Sequence, residues 1–170
     1  MQDGIFQPLG LNRNPLDFPD GVKMVQQLQE TGLSQQEAID VAASYIHTGS
    51  TLPVATPIDI TDKLVKVVPA GGAPSSTTGY WIRESELTVL KQDTASLSSK
   101  LGLPPGMQVE NYDVYQIVPH DGAVVFESKI APTTVDGIPN TTGGVNQTIV
   151  VDRNQFTLPV KIDSIAVKKE

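Results

Sequence analysis

The sequence contains no cysteine among its 170 residues. Disulfide bridges and thiolate zinc sites are therefore excluded, and the fold must be stabilised by an apolar core. A chain of this length can bury such a core in one ordinary domain, with room for a small helical appendage.

Basic residues are scarce, with 12 Lys and Arg against 19 Asp and Glu and a formal net charge of −7. This balance disfavours a sequence-independent grip on nucleic acid, so nucleic acid is an unlikely partner, although a local basic patch is not excluded. Long apolar runs are also missing, since none approaches the roughly 18 residues of a membrane span. The N-terminus lacks a signal peptide, and its polar, proline-bearing start predicts a piece of a longer, exported chain.

Two helices are predicted near the N-terminus. Asp20 is expected to cap a helix over residues 21–31, in which apolar residues recur at spacings of three. Ser34 and Glu37 have the spacing of a capping box, which predicts a second helix ending near His47. Together they predict an N-terminal helical hairpin.

The pattern changes after this hairpin. Residues 50–62 contain Pro53 and Pro57 and show no helical period, which predicts a domain boundary. We therefore divide the chain into a helical region, 1–58, and a second domain, 59–170.

The second domain is rich in strand-like segments. Asp121 and Gly122 predict a hairpin turn between two of them. Strands are predicted near 63–68, 80–83, 112–118, 123–126, 128–131, 146–151 and 159–167, and short helices near 84–90 and 94–101. Because helices and strands are segregated, the fold class is α+β, with a mostly antiparallel β domain.

Two candidate binding features lie early in this domain. Lys66 lies mid-strand among apolar residues, where it could pair with a phosphate or carboxylate, or simply face solvent on an edge strand. Ser75 and Ser76 offer hydroxyls beside Tyr80 and Trp81, whose rings could support an adenine or nicotinamide ring. The alternative is a polar loop that leads to a core tryptophan.

A third feature is the Gly143-Gly144 turn followed by Gln147. The glycines free the backbone for a tight turn, and Gln147 begins a strand, where its side chain could be held while facing a cleft. An ordinary glycine turn explains the same residues. The order of the three features resembles the layout of ADP-ribosyltransferase-like NAD sites.

Six segments of the chain form a recognisable series: 63–69, 79–82, 101–105, 112–117, 126–132 and 143–150. Together they resemble the C-terminal toxin domains of filamentous-haemagglutinin-like effectors of contact-dependent growth inhibition. The second half is also similar to NAD glycohydrolases of the tuberculosis-necrotizing-toxin type, in which matching segments follow in the same order.

The resemblance implies hydrolysis of NAD, as substrate, at its nicotinamide–ribose bond, with no other cofactor and no metal. Gln147 corresponds to the functional glutamine of that family. Lys66 stands in for an arginine that the first strand lacks, and Arg83 is the competing cation. Ser75, Ser76, Tyr80, Trp81, Gly143 and Gly144 are the candidate NAD-binding residues.

The resemblance also implies a biological setting. The chain would be part of a larger secreted or cell-surface effector that acts in the target-cell cytoplasm. Residues 1–58 would be a translocation module, and a cognate immunity protein would cover the cleft.

Two other functions remain open. A ribonuclease toxin of the same effector class, cutting transfer RNA, could use His120 and Lys129 as base and acid, with Tyr115 or Arg153 at the phosphate. The scarcity of basic residues counts against it. A non-enzymatic adhesion or assembly module would account for the Thr-, Asn- and Gly-rich segments, although not for the aromatic pair beside the Ser/Thr loop.

Overall fold

A computed structural model describes residues 5–168. All pairs between its named strands are antiparallel, which confirms the α+β class with mostly antiparallel pairing. The strands are β1 Phe6–Pro8, β2 Val54–Pro57, β3 Leu64–Pro69, β4 Tyr80–Arg83, β5 Asn111–Ile117, β6 Val124–Lys129, β7 Thr133–Val135, β8 Ile138–Thr141, β9 Asn146–Ile149 and β10 Val160–Ala166. The helices are α1 Pro19–Glu30, α2 Gln35–His47, α3 Glu84–Leu90 and α4 Leu97–Lys100. No helix in this part of the chain is long and apolar enough to cross a membrane.

The first two helices lie close to their predicted positions. The capping box is confirmed, because the Ser34 hydroxyl accepts the Glu37 N–H at 3.2 Å and the Glu37 carboxylate accepts the Ser34 N–H at 3.0 Å. The predicted cap of α1 is wrong. Pro19 opens the helix, and the Asp20 carboxylate instead accepts the N–H of Ala55 at 3.0 Å, which ties α1 to β2.

The helical region shares its core with the sheet. Met24 and Ala42, both fully buried, belong to one apolar cluster with Phe126 of β6 and Ile149 of β9. In addition, β2 pairs with β6 and β1 pairs with β7. The helical region thus packs directly against the sheet, and the division of the chain at residue 58 stays a prediction. The translocation role of residues 1–58 stays a prediction.

Seven strands form the main sheet, in the order β10-β5-β3-β4-β9-β6-β2, and β1, β7 and β8 form a smaller one. The predicted hairpin at Asp121-Gly122 is wrong, because β5 and β6 are not neighbours. The turn does form, with Gly122 at φ +81°. However, both edges of β5 are taken by β3 and β10, and both edges of β6 by β9 and β2. The tertiary pairing thus overrides a local turn signal.

The main sheet is split between β3 and β4. These strands share only two residue pairs, Leu64–Arg83 and Val65–Ile82, whereas β3 and β5 share six. Tyr80 and Trp81, at the other end of β4, pair with β9. Beyond Val65 and Ile82 the strands therefore diverge, and the gap between them positions the candidate site.

Candidate functional site

A cavity of about 240 Å³ opens at this split in the sheet. It brings together β1, β3, β4, β9, the residue after α2 and the segment around residues 101–107. Most of the lining is apolar, and its polar end carries Lys66, Tyr80 and Gln147. The full lining is Phe6, Pro8, Thr48, Val65, Lys66, Val67, Tyr80, Trp81, Ile82, Leu101, Gly102, Leu103, Pro104, Met107, Ile130, Ala131, Thr133 and Gln147.

Gln147 is held by two hydroxyls. Only 4% of the residue is exposed, and its Nε2 donates to Thr48 Oγ1 and to Ser128 Oγ, both at 3.1 Å. The Thr48 hydroxyl donates its own hydrogen to the Tyr45 carbonyl at 2.7 Å. Thr48 can therefore only accept from Gln147, and this fixes which end of the amide faces it.

The other end of this amide is available to a ligand. The carbonyl oxygen Oε1 of Gln147 accepts no hydrogen bond from residues 5–168, and the side chain lines the cavity. Oε1 is not one of the fully buried side-chain atoms that lack a partner, so it is reachable from the cavity. It is therefore available to accept a hydrogen bond from a bound molecule.

Lys66 is the cation of the cavity. Its Nζ donates to the Tyr80 carbonyl at 2.9 Å and so spans the gap between β3 and β4. Within residues 5–168 no carboxylate lies within ion-pair distance of it. Burial, and secondly the positive charge of Arg153, lower the pKa of Lys66 to about 8. The ammonium retains two N–H groups that could bind an anion.

Tyr80 closes the polar end. Its ring meets the ring of Tyr45 edge to face, with centroids 5.4 Å apart. Burial, and secondly Tyr45, raise the pKa of Tyr80 to about 12, so the phenol is neutral at physiological pH. Because Tyr45 and Thr48 belong to or follow α2, the helical region helps to shape the cavity.

Trp81 lines the cavity but does not offer the predicted ring platform. Only 1% of the residue is exposed, because the indole packs in an apolar cluster with Leu64 and Ile117. Its Nε1 donates to the Thr78 carbonyl at 3.1 Å, and the Arg153 guanidinium lies over the ring at 4.9 Å from its centroid. The indole is thus a core side chain, because strand alternation turns it away from the face that carries Tyr80 and Ile82.

Arg83 lies outside the cavity. Its guanidinium binds both carboxylate oxygens of Glu127, at 2.9 and 3.0 Å, and Asp62 at 2.8 Å. The bidentate pair with Glu127 and the contact with Asp62 hold the guanidinium beside two carboxylates. These contacts raise the pKa of Arg83 further, chiefly through the hydrogen bond with Glu127. Arg83 thus joins β4 to β6 outside the cavity, whereas Lys66 lines the same cavity as Gln147.

The predicted loop and turn residues are also outside the cavity. The Ser75 carbonyl accepts from Arg153 at 3.2 Å, and Ser76 is exposed. Gly143 and Gly144 border a separate surface pocket with Glu86 and Lys100. Gly143 has φ +64°, and a Cβ there would lie 2.5 Å from the Ile130 carbonyl oxygen. The diglycine turn therefore positions Gln147 and does not contact the cavity.

The residues of the ribonuclease hypothesis do not converge. None of His120, Lys129, Tyr115 and Arg153 lines the cavity. His120 lies in the exposed turn after β5, and Lys129 is exposed on β6. Tyr115 donates to the Gly72 carbonyl at 3.1 Å, and Arg153 covers Trp81. In the part of the chain that the structure describes, no group of three or more His, Asp or Glu side chains could hold a metal ion.

Two parts of the cavity escape sequence reasoning. From the sequence, Thr48 is predicted only as the end of a helix. Its hydrogen bond with Gln147 depends on the distant strand β9. Phe6 and Pro8 belong to a lead-in that proline makes look irregular, yet they form β1 and line the cavity. By contrast, the Leu101–Pro104 wall had a signal, since it falls within a segment that carries the resemblance.

No protein-family model matches this chain, and no curated protein matches it. Two solved structures are similar in fold. One is Rhs1-CT in complex with its cognate immunity protein RhsI1, with 15% identity and a TM-score of 0.47, covering 72% of this chain and 86% of that chain. The other is Tse6 in complex with Tsi6, with 13% identity and a TM-score of 0.47, covering 86% of this chain and 96% of that chain. At such identities residue roles do not transfer from those proteins to this chain.

Proposed function

We propose that this chain is an NAD glycohydrolase and that its cavity holds the nicotinamide–ribose half of NAD. The observation that carries the proposal is that Gln147 and Lys66 line the same cavity, with Oε1 of Gln147 available and no carboxylate partner for the Lys66 ammonium among residues 5–168. An acceptor for sugar hydroxyls and a cation for a phosphate, both at the polar end of an otherwise mostly apolar cavity, suit a nucleotide.

The size of the cavity fits one end of a dinucleotide. About 240 Å³ is slightly below the roughly 300–1,000 Å³ of pockets that enclose drug-sized ligands. In this proposal the apolar walls surround the nicotinamide ring, and Gln147 Oε1 accepts hydrogen bonds from the ribose hydroxyls. Lys66 faces the pyrophosphate as a point charge, and the adenosine half extends beyond the opening.

The proposed reaction is hydrolysis. The C1′–N bond of the nicotinamide riboside breaks, and its electron pair leaves with neutral nicotinamide. A water oxygen then bonds to C1′ of the oxocarbenium-like species and releases a proton, which gives ADP-ribose. Since no carboxylate lines the cavity among the described residues, the developing cation would face the Gln147 carbonyl dipole and the pyrophosphate of the substrate itself.

Release of nicotinamide tests the proposal. The purified chain is incubated with NAD and the free base is quantified by chromatography. Gln147→Ala should lower kcat about 100-fold, in the range seen when a single preorganised polar group is removed from an active site. The matched control is Asn146→Ala, because Asn146 is exposed on the same strand and bonds Glu86 at the surface. It should leave kcat unchanged.

Two outcomes would contradict this. If the unmodified chain releases no nicotinamide, NAD cleavage is wrong. If Gln147→Ala retains its circular dichroism spectrum and full turnover, Gln147 has no part in the reaction. Binding of NAD without cleavage would favour a second candidate, a non-catalytic binder of flat anionic ligands. The largely apolar lining also suits this candidate, since the described lining residues include no carboxylate or histidine.

The biological setting follows from the sequence resemblance. We infer the toxin portion of a larger secreted effector, acting in the target-cell cytoplasm, with a cognate immunity protein over the cavity opening. A net charge of −7 favours a partner with basic patches. Co-purification of such a partner should weaken as salt is raised, and a salt-independent complex would contradict the electrostatic part of this inference.

A further inference from the structure

Among residues 5–168, three aromatic residues line the cavity, and one of them has a ring without an aromatic or core partner. The Trp81 indole is buried in a core cluster beneath Arg153, and the Tyr80 ring is engaged by Tyr45. Phe6 is 37% exposed and belongs to none of the apolar clusters of the described residues. Its ring therefore borders the cavity without a partner from the core.

Strand β1 places Phe6 at this position. Phe6 and Pro8 are two residues apart, share one face of the strand and both line the cavity. The strand is held by three pairs with β7, from Phe6–Val135 to Pro8–Thr133. Asp136 forms hydrogen bonds with Ile5 at the start of the strand.

The anchor at Asp136 is specific. Its carboxylate accepts the Ile5 N–H at 2.8 Å, and its own N–H donates to the Ile5 carbonyl at 3.0 Å. It adopts φ +53°, the one positive φ outside glycine among the described residues, which turns β7 back into β8. At the other end of the strand, the Leu9 N–H donates to the Pro132 carbonyl at 2.8 Å. The backbone on both sides of Phe6 is thus fixed.

We propose that Phe6 is the stacking residue of this site and selects ligands that carry a planar aromatic ring. The identity of that ring as nicotinamide rests on the proposed function, whereas stacking needs only a flat π face. An open aromatic face, fixed from both ends and directed into an apolar cavity, is the arrangement that such stacking requires. Phe6 would thus fill the role that the sequence suggests for Trp81.

The experiment compares Phe6→Leu, which keeps an apolar side chain but removes the ring, with Phe6→Tyr, which keeps the ring. Two probes are used: NAD, through KM and kcat, and 8-anilinonaphthalene-1-sulfonate, an aromatic anion whose fluorescence reports binding without any reaction. Phe6→Leu should weaken the affinity for each probe about ten-fold, in the range of one base–aromatic stack. Phe6→Tyr should stay within about two-fold of the unmodified chain.

The matched control is Ile5→Ala. The Ile5 side chain is 59% exposed and does not line the cavity, so neither affinity should change. Hydrogen exchange of the Leu9 amide reports whether β1 remains docked in each variant. A ten-fold loss of affinity with the Leu9 amide still protected assigns the effect to the ring. If Phe6→Leu loses this protection, Phe6→Tyr decides the question. Affinity retained in Phe6→Tyr supports the proposal, and affinity lost in Phe6→Tyr overturns it.

The outcomes separate this proposal from the proposed function. An unmodified chain that releases no nicotinamide, but whose sulfonate affinity falls in Phe6→Leu, removes NAD cleavage and supports Phe6. Equal sulfonate affinities in the unmodified chain and Phe6→Leu overturn the stacking role, even if kcat falls. A chain that binds neither probe overturns it as well.

Discussion

Lys66 should destabilise the folded chain at neutral pH, because its ammonium is largely buried and has no carboxylate partner among the described residues. Its pKa falls from 10.5 to about 8, with burial as the main cause. Since a pKa difference of one corresponds to about 1.4 kcal/mol, the charged lysine lowers the free energy of unfolding by about 3 kcal/mol. Lys66→Met keeps the apolar stem and removes the charge. Since it also loses the hydrogen bond to the Tyr80 carbonyl, worth about 1 kcal/mol, the net gain at pH 7 should be about 2 kcal/mol.

The pH dependence gives the sharper test. Between pH 8 and 10.5 the unfolded chain keeps a proton on Lys66 that the folded chain has released, so the free energy of unfolding rises with pH. The rise should reach about 2 kcal/mol by pH 9.5. Tyr80 acts in the opposite direction only above about pH 10, because its pKa is raised in the folded state to about 12. The informative window is therefore pH 7 to 9.5.

The assay is urea denaturation followed by Trp81 fluorescence at several pH values in this window. The unmodified chain should become more stable as pH rises, and Lys66→Met should be more stable at pH 7 and nearly flat. Lys129→Met, at an exposed position on β6, should stay within about 0.5 kcal/mol and keep the rise. A flat profile in the unmodified chain, or a Lys66→Met variant less stable at pH 7, would refute the reasoning.

Two further substitutions test the packing. Met24→Ala, at a fully buried position of α1 that shares a cluster with Phe126 and Ile149, should cost about 2–5 kcal/mol. Far-ultraviolet circular dichroism and Trp81 fluorescence should still report one coincident unfolding transition, and a separate early loss of helix would show that 1–58 is an independent unit. Gly143→Ala should cost about 3 kcal/mol by urea denaturation, since φ is +64° and the new Cβ would meet the Ile130 carbonyl at 2.5 Å. Gly144→Ala has positive φ but open space and should cost about 1 kcal/mol; equal costs would rule out the clash as the cause.

Some features of the fold could be predicted because they depend on neighbours in the chain. The capping box of Ser34 and Glu37 needs only two side chains three residues apart, and the structure contains it as predicted. The β-branched runs that become β3 and β9 also carry their own signal. By contrast, the turn at Asp121-Gly122 fixes a change of direction but not which strands will pair after it, and its flanking strands lie in different parts of the sheet.

The candidate site depends mainly on distances that the sequence does not contain. Composition and local pattern singled out Lys66 and Gln147, yet only the divergence of β3 from β4 puts them in one cavity. The same local pattern predicted Trp81 as a platform for a ligand ring. In the structure, strand alternation directs its indole into the core, and the Arg153 guanidinium covers the ring. The role of Phe6 could not be predicted from local sequence, because its strand forms by pairing with β7, more than a hundred residues away. Local sequence thus determined many of the helices and strands and indicated which polar side chains could be functional. Long-range strand pairing decided which of those side chains share a cavity, because a strand is stabilised mainly by its hydrogen bonds and packing with neighbouring strands.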